Sequence, residues 1–135
     1  MPDQLPATCD VAIIGGGPAG STAATLLARR GLSVCVLEKE RFPRFHVGES
    51  LLPYNTPIFE ELGVQDEIAA AGFVTKRGAQ FYIGDGSRCT KFRFRDGSFT
   101  EFPTALQVER SRFDDILLRH AENNGANVFQ ETAVT

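Results

Sequence analysis

The sequence predicts an α/β fold in which a parallel sheet is joined to a separate antiparallel sheet. Three observations predict it. Strand, glycine turn, helix and strand follow one another within about thirty residues near the N-terminus. The hydrophobic period then shortens to two between Ala79 and Phe102, and an amphipathic helix leading into a strand ends the sequence. At 135 residues the chain has room for one ordinary domain with a core of its own.

Cys9 to Ile14 (CDVAII) is a short apolar run that stops at Gly15-Gly16-Gly17, the pattern of a buried strand. Small and apolar residues dominate from Pro18 to Arg30. Pro18 suits a first helical position, Arg29 and Arg30 favour the helix C-terminus, and Gly31 suits a left-handed cap. Ser33 to Leu37 reads as a second buried strand with Glu38 at its end. Such a βαβ unit implies a parallel pair with a right-handed crossover.

Arg41 to Pro57 contains Pro43, Pro53 and Pro57 and is predicted as a long irregular loop. Pro57 to Ala71 reads as one helix carrying Ile58, Leu62 and Ile68 among charges. AQFYIG, CTKFRFR and SFTEF, separated by Gly84-Asp85-Gly86 and Asp96-Gly97, predict antiparallel hairpins. Ser111 to Asn123 is an amphipathic helix, with Ser111 as its cap, Asp114 in its first turn and Gly125 ending it. Asn127 to Val134 returns as a strand that runs to the last residue, which suggests a piece of a longer protein.

Composition narrows the function classes. Fourteen basic against seventeen acidic residues argue against a dedicated nucleic-acid binder. No apolar run approaches the ~20 residues of a membrane span; the best, Thr22 to Leu37, is broken by Arg29, Arg30 and Gly31. The N-terminus lacks the basic region of a signal peptide. Cys9, Cys35 and Cys89 have no metal-like spacing, so reduced, mostly packed thiols in a cytoplasm are expected, with no metal site.

Gly15-x-Gly17-x-x-Gly20 has the context that a dinucleotide-binding turn requires: a strand before it, a helix after it and an acid ending the next strand. Gly15 permits the tight turn, Gly17 lets backbone amides approach a diphosphate, and Gly20 lets helix and strand pack closely. Gly16 and Ala19 lie in the same cradle, and the helix N-terminus offers it unpaired N–H groups. Glu38, eighteen positions after Gly20, is placed to accept hydrogen bonds from adenosine ribose hydroxyls. Its charge would repel a 2′-phosphate, so FAD or NAD is favoured over NADP.

Further residues carry a resemblance. IIGGGPAGSTAA, Glu38-Lys39 and Phe42-Pro43-Arg44-Phe45-His46-Val47-Gly48-Glu49-Ser50-Leu51-Leu52-Pro53, continued by Gly72-Phe73-Val74-Thr75-Lys76 and by Gln107 to Asp114, resemble the FAD-dependent halogenases of the tryptophan-halogenase family. The likeness covers nearly the whole chain and points to enzymes acting on phenolic, pyrrole or carrier-bound aromatic substrates. It implies a Rossmann-like parallel FAD-binding sheet with an interleaved antiparallel β-sheet, here truncated. Residues 1–78 would be the FAD-binding βαβ unit and flavin-contacting loop, 79–106 hairpins of the substrate domain, and 107–135 a return to the FAD-binding domain. Arg110 would contact FAD, Glu49 would lie in the flavin-contacting loop, and His46 is left as structural.

The resemblance also makes Lys76 the catalytic residue. In such halogenases reduced FAD, supplied by a separate flavin reductase, uses O2 to turn a halide ion into hypohalous acid. A lysine then relays the halogen to an electron-rich ring. Its ammonium can donate a hydrogen bond, its amine can be halogenated, and partial burial would favour the amine. The family's later motifs, an Asp-containing flavin site and W-x-W-x-I-P, would lie beyond Thr135. The isolated chain is therefore expected to bind FAD weakly and not to turn over.

Two other readings share the residues. One is an FAD-dependent monooxygenase or prenyl-type reductase of the same fold, and the other is a non-catalytic dinucleotide-binding module. Lys91, Arg93 and Arg95 alternate with Phe92 and Phe94, as in a sheet with one wet and one packed face. That wet face also offers docking to an acidic carrier protein. Phe81 and Tyr82 read as core packing.

Overall fold

The first strand, β1 (Val11–Ile14), is joined to β2 (Val34–Leu37) by helix α1 (Pro18–Arg29), and the two strands pair in parallel from Val11 opposite Val34 to Ile14 opposite Leu37. The computed structural model describes residues 4–97 and 101–135. After β2 come α2 (Asn55–Leu62), α3 (Gln65–Ala70), β3 (Val74–Lys76), β4 (Gly78–Tyr82), β5 (Cys89–Arg93), a 3₁₀ turn (Phe94–Asp96), β6 (Ala105–Gln107), α4 (Arg110–Asn123) and β7 (Asn127–Phe129). Among the described residues three ladders form: a parallel sheet in the order β1-β2-β7, and antiparallel pairs β3-β6 and β4-β5. The expected α/β architecture is present.

Beneath the parallel sheet, α1 and α4 bury Ala24, Val34, Val36, Leu118, Ala121 and Val128 in one apolar cluster. A second cluster of Phe59, Leu62, Val64, Ile68, Val108, Phe113 and Leu117 joins α4 to α2 and α3. Helix α4 thus has two apolar faces, and Phe113 takes edge-on contacts from Phe59 and Phe73. This double burial holds the parallel sheet and the β3-β6 ladder on one scaffold.

Several elements differ from the sequence reading. The helix expected over 57–71 is two helices, because Gly63 ends α2 in the left-handed conformation (φ +66°). Arg29 secures the break by donating to the carbonyls of Glu61 and Leu62 at 3.0 and 2.6 Å. Strands β3 and β6 fell in stretches too short to show a period. The run CTKFRFR leaves the ladder at Phe94, whose buried ring turns inward from a 3₁₀ turn. The expected strand over 98–102 lies partly outside the described residues, and Glu101 and Phe102 are not in a strand. Helix α4 starts at Arg110 with Glu109 as its flanking residue; Ser111 donates to the Glu109 carboxylate instead of capping. The last strand ends at Phe129 rather than Val134.

The cysteines are unpaired: Cys35 is buried, Cys9 half-buried and Cys89 exposed, so the expectation of mostly packed thiols fails at Cys89. Burial, with Cys9 beside it, pushes the Cys35 thiol up. No helix among the described residues is long and apolar enough to cross a membrane, and no acidic, histidine or cysteine cluster there could hold a metal.

Candidate functional site

The glycine turn is built by three close approaches. Gly15 takes φ +99°, and its N–H donates to the Leu37 carbonyl at 2.9 Å, tying the turn to the end of β2. A Cβ on Gly20 would stand 2.0 Å from the Gly15 carbonyl oxygen, so only glycine lets α1 pass that close. Gly17 flanks α1 in an extended conformation with no side-chain cap, Pro18 follows it, and Ala19 lies in the first turn. The first-turn amides of α1 are therefore free of side-chain acceptors and carry the positive end of the helix dipole.

Glu38 is 4% exposed, and its carboxylate is already engaged. Oε2 accepts the Gly16 N–H at 2.6 Å and Oε1 accepts the Glu40 N–H at 2.8 Å. Each oxygen keeps a lone pair for a further donor. A cleft of about 200 Å3 opens here, lined by Gly15, Glu38, Lys39 and Thr132 among others. On the other flank of the α1 N-terminus a cleft of about 520 Å3 runs past Pro18, Ala19 and Thr22 to Gly48 and Arg110. An uncapped helix end between two clefts, with a carboxylate in one of them, fits a dinucleotide laid across the turn.

Beside this turn lies a group of charges whose pairing the sequence reading left out. Asp114, fully buried, binds Arg110 through a fork, Nε to Oδ1 at 2.7 Å and Nη2 to Oδ2 at 2.9 Å. Its Oδ2 also accepts Nη1 of Arg44 at 2.9 Å. Arg44 reaches Glu40 at 3.1 Å, stacks on the Phe42 ring at 4.5 Å, and has Nη2 3.6 Å from where a Gly17 Cβ would stand. Arg110 Nη1 donates to the carbonyls of Val47 and Gly48. Asp114 is therefore not a helix-dipole residue but the shared anion of two arginines, which it fixes beside the turn. The FPRF run held the signal for Arg44, and Asp114 stands four residues after Arg110 on α4, but nothing local joined Arg44 to Asp114.

The segment after Gly48 joins the second ladder. Leu51 N–H donates to Leu106 O at 2.9 Å and Val108 N–H to Glu49 O at 2.8 Å, so residues 49–51 lie along β6. The Glu49 side chain is exposed and accepts Gln107 Nε2 at 3.4 Å. Lys76, last residue of β3, sends Nζ to the Ser50 hydroxyl and to the Leu51 carbonyl, the latter at 3.0 Å. It also stands 5.7 Å from the Phe94 ring centre. Thus Lys76 is half-buried and tied to the Glu49–Leu51 segment, while Arg110 holds the start of the same segment. His46 is exposed. Phe81 and Tyr82 are exposed rather than core, with Phe81 stacked on Phe92 at 6.1 Å.

The chain is similar to known flavoproteins. The family described as "FAD binding domain" matches residues 8–135. A tryptophan 2-halogenase of Chondromyces crocatus is 45% identical over 127 residues, 94% of this chain and 23% of that protein. The solved structure of the myxobacterial chondrochloren halogenase CndH superposes with a TM-score of 0.85 at 45% identity, covering 93% of this chain and 29% of that one. A flavoprotein/dehydrogenase structure from Cytophaga hutchinsonii gives a TM-score of 0.87 at 40% identity, covering 94% and 31%. The chain spans about a quarter of the length of the curated relative it matches.

Proposed function

Because this chain belongs to the FAD binding domain family, we propose that it provides the cofactor-binding face and the relay lysine of a flavin-dependent halogenase acting on an electron-rich aromatic compound. In this reading Gly15, Gly16, Gly17, Ala19 and Gly20 hold the FAD diphosphate, Glu38 takes the ribose hydroxyls, and Glu49 and Arg110 set the flavin-side segment. When bound and reduced, by a separate reductase, FAD supplies with O2 the oxidising power that turns halide into hypohalous acid.

Lys76 does the rest. Of the three protons on its ammonium, two go to Ser50 and Leu51. The third is left to hold hypohalous acid by its oxygen while the O–X bond breaks and the halogen passes to the ring, the hydroxide so released taking the proton that the ring loses and leaving as water. The single observation that carries this reading is that tether, because it fixes Nζ against the segment that resembles the flavin-contacting loop.

The likeness to a flavoprotein/dehydrogenase supports a second reading, a monooxygenase or reductase of the same fold. One experiment separates them. The longest polypeptide encoded by the reading frame is assayed with reduced FAD, O2 and aromatic substrates, with and without chloride or bromide, as parent and as Lys76→Ala. A halogenase gives product only with halide and loses it in the variant, while FAD binding by fluorescence quenching stays unchanged. Oxygenated or reduced product without halide, retained in Lys76→Ala, establishes the second reading. The expectation that residues 1–135 alone bind FAD weakly and do not turn over is tested by the same assays on the chain as it stands.

A further inference from the structure

A cleft of about 430 Å3, separate from the glycine turn, is lined by Arg77, Arg93, Arg95, Pro103 and Thr104. Three segments bring the arginines together. Arg93 ends β5 opposite Gly78, the Arg77 carbonyl accepts the Phe94 N–H at 3.0 Å, and the 3₁₀ turn carries Arg95 round the buried Phe94 ring. Among the described residues the side chains of Arg77 and Arg93 have no ion-pair or hydrogen-bond partner, and the Arg95 side chain meets only Asp96, at 3.7 Å and exposed. Like charges gathered in one cleft repel one another. The three side chains are exposed, and an anion in the cleft would offset their repulsion.

We propose that this cleft is a binding subsite for a phosphate-type oxyanion. A carboxylate, with two oxygens and one charge, is saturated by one or two guanidinium forks. A phosphate offers more terminal oxygens and up to two charges, which suits three forks. The subsite adjoins Lys76 through Arg77, and Phe94, beside the Lys76 ammonium, sits between Arg93 and Arg95. A phosphate bound here anchors the molecule whose ring is offered to Lys76. That use rests on the halogenase reading, whereas the binding itself does not.

The test is a titration of the purified chain with inorganic phosphate at low ionic strength, followed by 15N–1H spectra that resolve arginine Nε–H signals. Arg77, Arg93 and Arg95 are expected to shift and saturate together, with the Gly15–Gly17 amides reporting phosphate at the turn as a separate event. Chloride and acetate should each require about tenfold higher concentration, and Arg77→Gln or Arg93→Gln should weaken phosphate about tenfold at this cleft. Unchanged shifts at the glycine turn in both variants certify their fold. Chloride acting as strongly as phosphate, or variants that bind like the parent, overturn the proposal. Phenyl phosphate and dimethyl phosphate then test the selection. The monoester, with three terminal oxygens and up to two charges, is expected to bind as phosphate does, which indicates a phosphorylated molecule. Equal binding of the diester, which like acetate has two terminal oxygens and one charge, overturns the proposal. Phosphate binding without halide-dependent turnover would remove the halogenase reading and leave the subsite standing.

Discussion

The Glu38 carboxylate accepts the Gly16 amide at 2.6 Å across the gap between the end of β2 and the glycine turn. The acid expected to meet the ribose is therefore also the acceptor that shapes the glycine turn. Glu38→Ala leaves a buried N–H unpaired and should cost about 1–3 kcal/mol of stability even without cofactor. Glu38→Gln keeps one acceptor and should lose less stability while weakening FAD about tenfold. Urea unfolding without FAD, beside a fluorescence titration with it, separates the two effects.

Gly20 is set by contact rather than by its own backbone angle. A methyl group there would overlap the Gly15 carbonyl oxygen, so α1 must retreat from β1. Gly20→Ala is expected to lower stability by about 3 kcal/mol and to abolish FAD binding. A variant melting within a degree of the parent would contradict the close packing.

Asp114 pairs with both Arg44 and Arg110. Asp114→Ala leaves the largely buried Arg110 without its anion and Arg44 with only the exposed Glu40, and should cost about 3–5 kcal/mol. Replacement of Arg44 by Lys, which cannot reproduce the planar fork, should be milder and should weaken FAD more than it weakens the fold. Denaturant midpoints and FAD titrations on both variants check the order.

Asp10 pins β1 to β2 from outside the core. Its carboxylate accepts the Ser33 N–H and hydroxyl, both at 2.8 Å, and these bonds hold its pKa below the ordinary aspartate value. A depressed folded pKa means the stabilisation is complete above the unfolded value, about 3.9, and is lost as pH falls through the folded value. Asp10→Asn should therefore lower stability at neutral pH and flatten the acid end of the stability curve. An acid limb identical to the parent's would show that Asp10 contributes nothing.

Local chemistry made the first half of the fold legible. Gly15-x-Gly17-x-x-Gly20, Pro18 and the apolar runs around them allow one arrangement, and the strand–turn–helix–strand unit stands where they place it. The same is true of α4, whose amphipathic face spans enough turns to show its period. Short elements were not legible. Strands of three residues such as β3 and β6 carry no period, and their pairing depends on partners about thirty residues apart. Gly63 was visible, but nothing near it showed that Arg29 would reach across from α1 and donate to the carbonyls of Glu61 and Leu62 at that helix end.

The sequence by itself determined the glycine turn and the acid at the end of β2, which depend on neighbours within one βαβ unit, and the FAD binding domain family, which rests on motifs spread along the chain. Only the tertiary structure decided that Asp114 joins Arg44 to Arg110, that Lys76 is tied to Ser50 and Leu51, and that three arginines share one cleft. Apart from Arg110 and Asp114, one turn apart on α4, and the neighbours Arg93 and Arg95, those contacts join residues far apart in the chain. Charge pairing and hydrogen bonding act through space, and no local spacing rule encodes which distant partner a side chain will meet.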